Sequence, residues 1–556
     1  MKFILCAFSL ALVVVTKSAG APSDATRNQL GAWAANIKGA TARHYALHDN
    51  TGLGMDTIKV IPDPNGGYIA LYHTNVSGTG FVVSLATSPD LGNWTYKCRI
   101  GTYAADPDIY ACSNGAFVVV WEQTTSVGSN NHIHFAYYPT RAALIAGTPS
   151  QSYDAPMTLS NAAEGTPNIY SVTLTNGDIN TSTIDIGGHY NNTSHLDRQQ
   201  RGTLTNFSSW STAKRSDYDN AILYWKINGN IGQRDLMTYN GYNFNIIEGQ
   251  GKANDFSTFK IYIYDFQTGN ADQLSLTTDG GSKSWGNPHW TYLIGPDGNP
   301  CIVFSVFIFS EGSAPGEAGP ALYYVTLPAA PAISNGPATT TATVGSSYNF
   351  TYTYTGYPVP TFSVASGALP PGLTLSTSGV LSGTPTAAGV YTGTIQSVNS
   401  QGTATQNFTI TIPTPYSIWQ GTNFTAAEIL TGLTTMAADF DNDGMPNLLK
   451  YAFGMDPKAF NMSPVTVTIL GNNLQISFPC NSACTDITYT VQSSSTLAPN
   501  SWTDIAQSSG GATMLPIGTL STVTDTGIGQ RTVTVTDSTP LPAKGKRFLR
   551  VKVTNP

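Results

Sequence analysis

Five short apolar runs, each opened by an acidic or polar residue, recur along the first 327 residues and constrain the fold more than any other feature of the chain. They are Asp56-Thr-Ile-Lys-Val-Ile, Asp108-Ile-Tyr-Ala-Cys, Thr166-Pro-Asn-Ile-Tyr-Ser-Val, Asn220-Ala-Ile-Leu-Tyr-Trp and Asn287-Pro-His-Trp-Thr-Tyr-Leu-Ile, with starts 52, 58, 54 and 67 residues apart. Short runs rich in β-branched and aromatic residues read as strands. Several lead through a turn into a second apolar run, as in Asn65-Gly-Gly-Tyr-Ile-Ala-Leu-Tyr and Ser113-Asn-Gly-Ala-Phe-Val-Val-Val-Trp. An Asn-Gly type turn between apolar runs is a hairpin signal. Five units of about four strands predict a five-bladed β-propeller over 22–327, a radial array that leaves few open edges. A large β-sandwich of irregular hairpins is the alternative.

Composition supports an all-β chain. Charged residues make up 11% of the 556, well below the roughly 25% of ordinary soluble domains. The polar load falls on Ser, Thr, Asn, 54 Gly and 28 Tyr, which favour strands and turns over long surface helices. A net charge of -7 argues against nucleic acid as a partner, and a hydrophobic share of 41% argues against disorder.

At the N-terminus Lys2 precedes an apolar run over 3–15, and small residues Ser18, Ala19, Gly20 and Ala21 follow. This pattern predicts a signal peptide over 1–21 and a secreted, extracellular protein. No later run reaches the roughly 18 apolar residues of a membrane span. Beyond Cys6, five cysteines remain. In an oxidising compartment two disulfides are expected, Cys98 with Cys112 and Cys480 with Cys484, with Cys301 left as a buried thiol. No cysteine cluster has zinc spacing.

The stretch around Pro328, Pro331 and Pro337 marks a linker. Residues 328–414 hold no His and no Trp. Here Ala368-Leu-Pro-Pro-Gly-Leu-Thr-Leu, Gly379-Val-Leu-Ser-Gly-Thr-Pro and Ala388-Gly-Val-Tyr resemble the bacterial "putative Ig" modules. The resemblance implies an Ig-like β-sandwich acting as a spacer, with Leu373, Leu375, Val380 and Leu381 in its core.

Residues 415–460 read as a short helical segment with a loop, Asp439-Phe-Asp441-Asn-Asp443-Gly444-Met-Pro-Asn447. The D-x-D-x-D-G spacing gathers hard oxygen ligands on one side of a turn, as calcium requires. The loop resembles thrombospondin type 3 and dockerin calcium loops, which implies Asp439, Asp441, Asp443 and Asn447 as ligands and Ca2+ as the ion. Lys450 stands where those loops carry the closing carboxylate, and a cation there lowers affinity. The alternative is an Asx-turn leading into a helix from Asn447. Residues 461–556 alternate as strands of a terminal β-sandwich, without a catalytic cluster.

No phosphate loop, nucleophile elbow or HExxH motif occurs. What remains is acidic residues at strand starts. In a propeller the innermost strands line one funnel, so acids about fifty residues apart meet. Paired carboxylates in one cleft suit glycosidic cleavage, in which one activates water and the other donates a proton. Ser88-Pro-Asp-Leu-Gly-Asn-Trp94 resembles the strand-to-turn signature of family-43 glycoside hydrolases. These are five-bladed propellers acting on arabinose-, xylose- or galactose-containing polysaccharides, with no cofactor required for catalysis. The resemblance implies Asp56 as general base, Asp108 (with Asp106 as its competitor) as the acid that tunes pKa, and Glu164 as general acid. His189, Arg234, His289 and Trp290 are expected to contact substrate, and the C-terminal modules to attach the protein to a cell surface or matrix.

Two other readings use the same architecture. Ser88…Trp94 and Thr277…Trp285 lie one residue either side of sialidase-like Asp-box spacing. A non-catalytic carbohydrate-binding or adhesion protein would lack a working acid/base pair.

Overall fold

The computed structural model describes residues 21–126, 130–543 and 545–555. The expected signal peptide at 1–21, with Cys6, lies outside them but for its last residue. The chain forms two compact units. One runs to Ala330 and includes Thr355–Val359; the other holds Pro331–Tyr354 and Pro360 onwards.

The first unit is a five-bladed propeller of four-stranded antiparallel sheets. Blade one is Asp56–Pro62, Tyr68–Val76, Gly80–Ser88 and Thr95–Thr102, and blade two Ala104–Ala111, Phe117–Gln123, His132–Tyr138 and Gln151–Asp154. Blade three is Glu164–Leu174, Ser182–Asn191, Asp197–Thr205 and Ser209–Lys214, and blade four Arg234–Tyr239, Tyr242–Gln250, Phe259–Asp265 and Asn270–Gln273. Blade five is Trp285–Ile294, Pro300–Ile308 and Gly319–Thr326, and Ala42–His44 closes the ring as its outermost strand by pairing Arg43 with Tyr323. Apolar residues alternate into the gaps between blades. One such core joins Phe244, Ile246 and Ile263 of blade four to Trp290, Ile302 and Phe304 of blade five.

One expected strand is a helix. Ser216–Leu223 is helical, with Asp217 and Asp219 in its first turn and Tyr218 and Ile222 buried one turn apart. Acids at a helix start and apolar residues at i and i+4 favour that form. Blade four therefore begins at Arg234, not Asn220.

In the second unit the Ig-like sandwich pairs Thr361–Gly367, Gly389–Asn399 and Gly402–Ile412 in one sheet, and Tyr348–Thr351, Val380–Gly383 and Leu373–Leu375 in the other. Leu373 and Leu381 are buried in its core with Phe362, Ile395 and Phe408, while Leu375 packs at its edge. Gly372 takes a left-handed φ of 91°, and a side chain there would overlap the Thr384 carbonyl. The terminal sandwich stacks Thr466–Leu470, Asn473–Asn481, Gln530–Pro540 and Ser521–Thr526 on a second four-stranded sheet that includes Thr488–Ser494 and Phe548–Thr554. Helix Asn447–Phe453 adds Tyr451, Ala452 and Phe453 to that core.

The expected disulfides do not form: Cys98, Cys112, Cys301, Cys480 and Cys484 are all free thiols. Cys98 packs in the core between blades one and two, and Cys112 in that between blades two and three. Cys484 instead directs its thiol at the Tyr451 carbonyl, 3.4 Å away, while Cys480 accepts from Arg531. Among the described residues no helix is long and apolar enough to cross a membrane.

Candidate active site

A repeated irregularity builds the centre of the propeller. The innermost strand of blades one, two, three and five carries a register shift, between Asp56 and Lys59, Ala105 and Asp108, Gly165 and Asn168, and Gly286 and His289. Inside each shift one residue takes a left-handed φ: Thr57 (52°), Asp106 (49°), Thr166 (40°) and Asn287 (49°). Such bulges re-aim the flanking side chains. Here they separate two layers, a sealed plug and an open mouth.

The plug takes one residue from each blade: Lys59, Asp108, Asn168, Asp235 and His289, all buried. The Lys59 ammonium lies 2.5 Å from Asp235 and 3.9 Å from Asp108. Asn168 donates to both carboxylates, at 2.8 Å and 2.7 Å, and His289 Nδ1 is 3.3 Å from Asp235. Burial would raise the pKa of Asp235, but Lys59 and His289 hold it below the usual range; burial pushes Asp108 up against the pull of Lys59. Asp108, Asp235 and His289 approach closely enough to share an ion, yet the charge beside them is already supplied by Lys59.

On the mouth side of the bulges His73, Glu122, His189 and Phe307 of the second strands pair opposite Asp56, Ala105, Gly165 and Gly286, and all of these second-strand residues but His189 line the cavity there. Glu248 fills the same place in blade four, donating its N–H to Gln233 O at 3.0 Å. A cavity of about 680 Å3 is lined by Asp56, His73, Asp106, Glu122, Glu248 and Asn287, together with Phe81, Phe256, Phe259, Phe307 and Phe309. A second cavity of about 630 Å3 shares Asn75, Phe81, Ala105 and Glu122 with it. Phe309 holds the apolar part together, its ring centroid 5.3 Å from Phe256, 4.9 Å from Phe259 and 5.3 Å from Phe307.

Hydrogen bonds fix the acids. Asp56 accepts from its neighbour's N–H (Thr57, 2.7 Å) and from Asn287 Nδ2 (3.2 Å), and its other oxygen lies 3.2 Å from His73 Nε2. The Asp106 N–H donates to His73 Nδ1 at 2.9 Å, so the ring proton is left on Nε2 to face Asp56. Burial alone would lower the pKa of His73, but the charge and hydrogen bond of Asp56, together with the charges of Asp106 and Glu122, outweigh it and raise the pKa. Glu122 accepts from Asn131 Nδ2 and from the Thr166 N–H. Burial, and then the charge of Asp106, push its pKa up to about 8. Glu248 accepts the N–H of Gln233 at 3.0 Å and of Asn287 at 2.7 Å, and burial pushes it up to about 7. Glycine makes room for both acids: a methyl on Gly165 would overlap the Glu122 carboxylate, and one on Gly232 or Gly286 would meet that of Glu248.

Of the expected catalytic residues, the structure brings Asp56 to the cavity, with Asp106 rather than Asp108 beside it. Glu164 lies elsewhere. Its Oε1 accepts the N–H groups of Thr158, Leu159 and Ser160, clamping the loop before blade three. The expected substrate contacts are also buried outside the cavity lining. His189 is held at 2.6 Å by Thr166, and Arg234 donates to Thr166 and to the Gly232 carbonyl. His289 belongs to the plug, and Trp290 donates both its N–H groups to Asp235. Ser88…Trp94 is a structural turn in which Asp90 accepts from Gly92, Asn93 and Ser88, lowering its pKa to about 2. The residues missed in sequence, His73, Glu122 and Glu248, each end an apolar run (Ile69-Ala-Leu-Tyr-His73, Val118-Val-Val-Trp-Glu122, Phe244-Asn-Ile-Ile-Glu248). A polar residue ending the apolar run of the second strand in these three units was the available signal.

In the C-terminal unit Asp439, Asp441 and Asp443 converge as an ion site would require. The Asn447 amide nitrogen donates to the carbonyls of Leu433 and Thr435, at 2.9 Å and 3.0 Å, and its Oδ1 is buried without a hydrogen-bond partner.

Fold and cavity together define an acid-mouthed five-bladed propeller carrying an Ig-like module. Comparison with known proteins adds the following. The family described as "Putative Ig domain" matches residues 330–413. Comparison with curated proteins gives no match. Among solved structures, the chain is similar to a thermostable family-43 glycoside hydrolase (13% identity, 50% of this chain and 92% of that one, TM-score 0.34). It is also similar to an endo-arabinase from Bacteroides thetaiotaomicron (10% identity, 51% and 98%, TM-score 0.33). A third is an α-L-arabinofuranosidase from Lactobacillus brevis (8% identity, 49% and 90%, TM-score 0.34).

Proposed function

We propose that the propeller is a secreted glycoside hydrolase acting on arabinose-, xylose- or galactose-containing polysaccharide, with the Ig-like and terminal modules attaching it to a surface or matrix. The observation that carries this reading is the meeting of Asp56, Asp106, Glu122 and Glu248 in one cavity, with Glu122 raised to about 8. Such a pair of environments divides acid from base work. In this reading Glu122 keeps its proton at neutral pH and gives it to the leaving oxygen. Asp56, oriented by Thr57, His73 and Asn287, takes the proton of the attacking water. Asp106 serves as the charge that keeps Glu122 protonated. The phenylalanines offer apolar surface to sugar rings. Among the described residues lining the cavity there is no Arg or Lys, which favours neutral sugars over a sialic or uronic carboxylate.

The test is reducing-sugar release from arabinan, xylan and galactan by the wild type, Asp56→Asn and Glu122→Gln. The wild type should release sugar from at least one, and each variant should lose about 10²-fold or more while still binding it. Full activity in either variant would overturn the assignment. Binding without release in the wild type would leave an adhesion module instead.

A further inference from the structure

The loop 439–444 has the ligand spacing of a calcium site, and its three carboxylates come within 4.8 Å of one another. Like charges so close need a counter-cation. The chain supplies one. Helix Asn447–Phe453 starts three residues after Gly444, and its Lys450 side chain is 0% exposed. Its Nζ lies 3.1 Å from Asp443 and 3.8 Å from Asp439, and it donates to Asp441 Oδ1. An ammonium has three donors and no acceptor, which suits a cage of three carboxylates. Backbone N–H groups take up other oxygens of the cage: Asp439 accepts from Gly444 at 2.7 Å, and Asp443 from Met445 and Asn461, both at 2.8 Å, while Asp441 Oδ2 is left buried without a partner. A calcium ion needs six to eight oxygens at 2.3–2.6 Å. The groups present do not offer that while the Lys450 ammonium fills the closing position.

We propose that the Lys450 ammonium is the resident cation of this loop, a tethered substitute for a divalent ion, and that removing it turns the loop into a metal site. The substitution joins the cation covalently to the helix it anchors. The turn, the helix and the sandwich core they feed through Tyr451 and Phe453 are then held without any metal. The wild-type module neither takes up calcium at this loop nor loses stability to a chelator.

The experiment uses the full chain, with calcium as the probe, in three forms: wild type, Lys450→Glu and Lys450→Gln. Thermal unfolding is followed in millimolar calcium and in EDTA, and calcium uptake by calorimetry. In the wild type the melting of the C-terminal unit should not move between the two conditions, and Asp441→Asn should abolish no calcium heat. In Lys450→Glu that transition should fall in EDTA and recover by several degrees in calcium, because a ligand that binds only the folded state stabilises it. Lys450→Gln should show the same response more weakly. Wild-type calcium uptake that Asp441→Asn removes would overturn the proposal. So would a folded Lys450→Gln or Lys450→Glu with no calcium response. Should Lys450→Glu fail to fold in both conditions, Lys450→Gln and the wild-type comparison with Asp441→Asn still decide it.

Discussion

Replacing Glu122 by Gln tests the site through stability as well as rate. The carboxyl is buried, and burial with the nearby Asp106 charge lifts its pKa to about 8 from an ordinary 4.5. At pH 7 the protonated form therefore prevails. A folded pKa above the unfolded one means that the native state binds more protons throughout the window between about 4.5 and 8. Stability is full below that window and falls as pH rises through it, by at most about 1.4 kcal/mol per pH unit. Gln cannot ionise, so Glu122→Gln should lose this slope. It should also carry a constant offset of about 1–3 kcal/mol, because the amide turns a donor toward either the Thr166 N–H or Asn131 Nδ2, which now share the two oxygens. The assay is urea unfolding of the propeller at several pH values from about 5 to about 8 for both proteins. Glu248 contributes its own slope in both proteins and cancels in the difference. Parallel stability curves would refute a neutral, buried Glu122 and with it the acid role.

Other consequences are open to direct measurement. Gly165→Ala should push the Glu122 carboxylate aside and cost about 10²-fold in turnover, checked by kcat on the active polysaccharide with circular dichroism unchanged. Glu164→Gln should weaken the loop at 158–160 and lower stability by about 1–3 kcal/mol while turnover stays within a few-fold of wild type; loss of turnover in a fully stable variant would restore Glu164 as the acid. Lys59→Met leaves Asp235 and Asp108 buried without their cation and should destabilise the propeller by about 3–5 kcal/mol, read by urea unfolding. Thiol titration of the denatured, unreduced protein should find Cys98, Cys112, Cys301, Cys480 and Cys484 all reactive.

The blades were legible because strand-length apolar runs and Asn-Gly turns are local signals. Asp56, Asp108, Thr166 and Asn287 all fall on innermost strands. Asn220 misled because a short apolar run suits a strand or a helix face equally, and only packing of Tyr218 and Ile222 decides it. The site was less legible for a different reason. Whether Asp106 or Asp108 faces the cavity depends on a one-residue bulge, which moves side chains from one layer to the other. Glu122 and Glu248 sit on second strands, and their raised pKa values come from burial that only the closed ring creates. The resemblance that pointed to Glu164 rested on local context, whereas its actual partners, the N–H groups at 158–160, occupy the preceding loop. Lys450 was visible as a departure from a calcium loop, but its position inside the cage depends on the helix that follows.

The pH dependence of kcat/KM for reducing-sugar release by the wild type tests the central claim most directly, since it reports the free enzyme's essential groups. With Glu122 as the proton donor the rate should fall on the alkaline side with a midpoint near 8. A rate that is flat through that range, or that already falls at ordinary carboxylate pKa values, would contradict it.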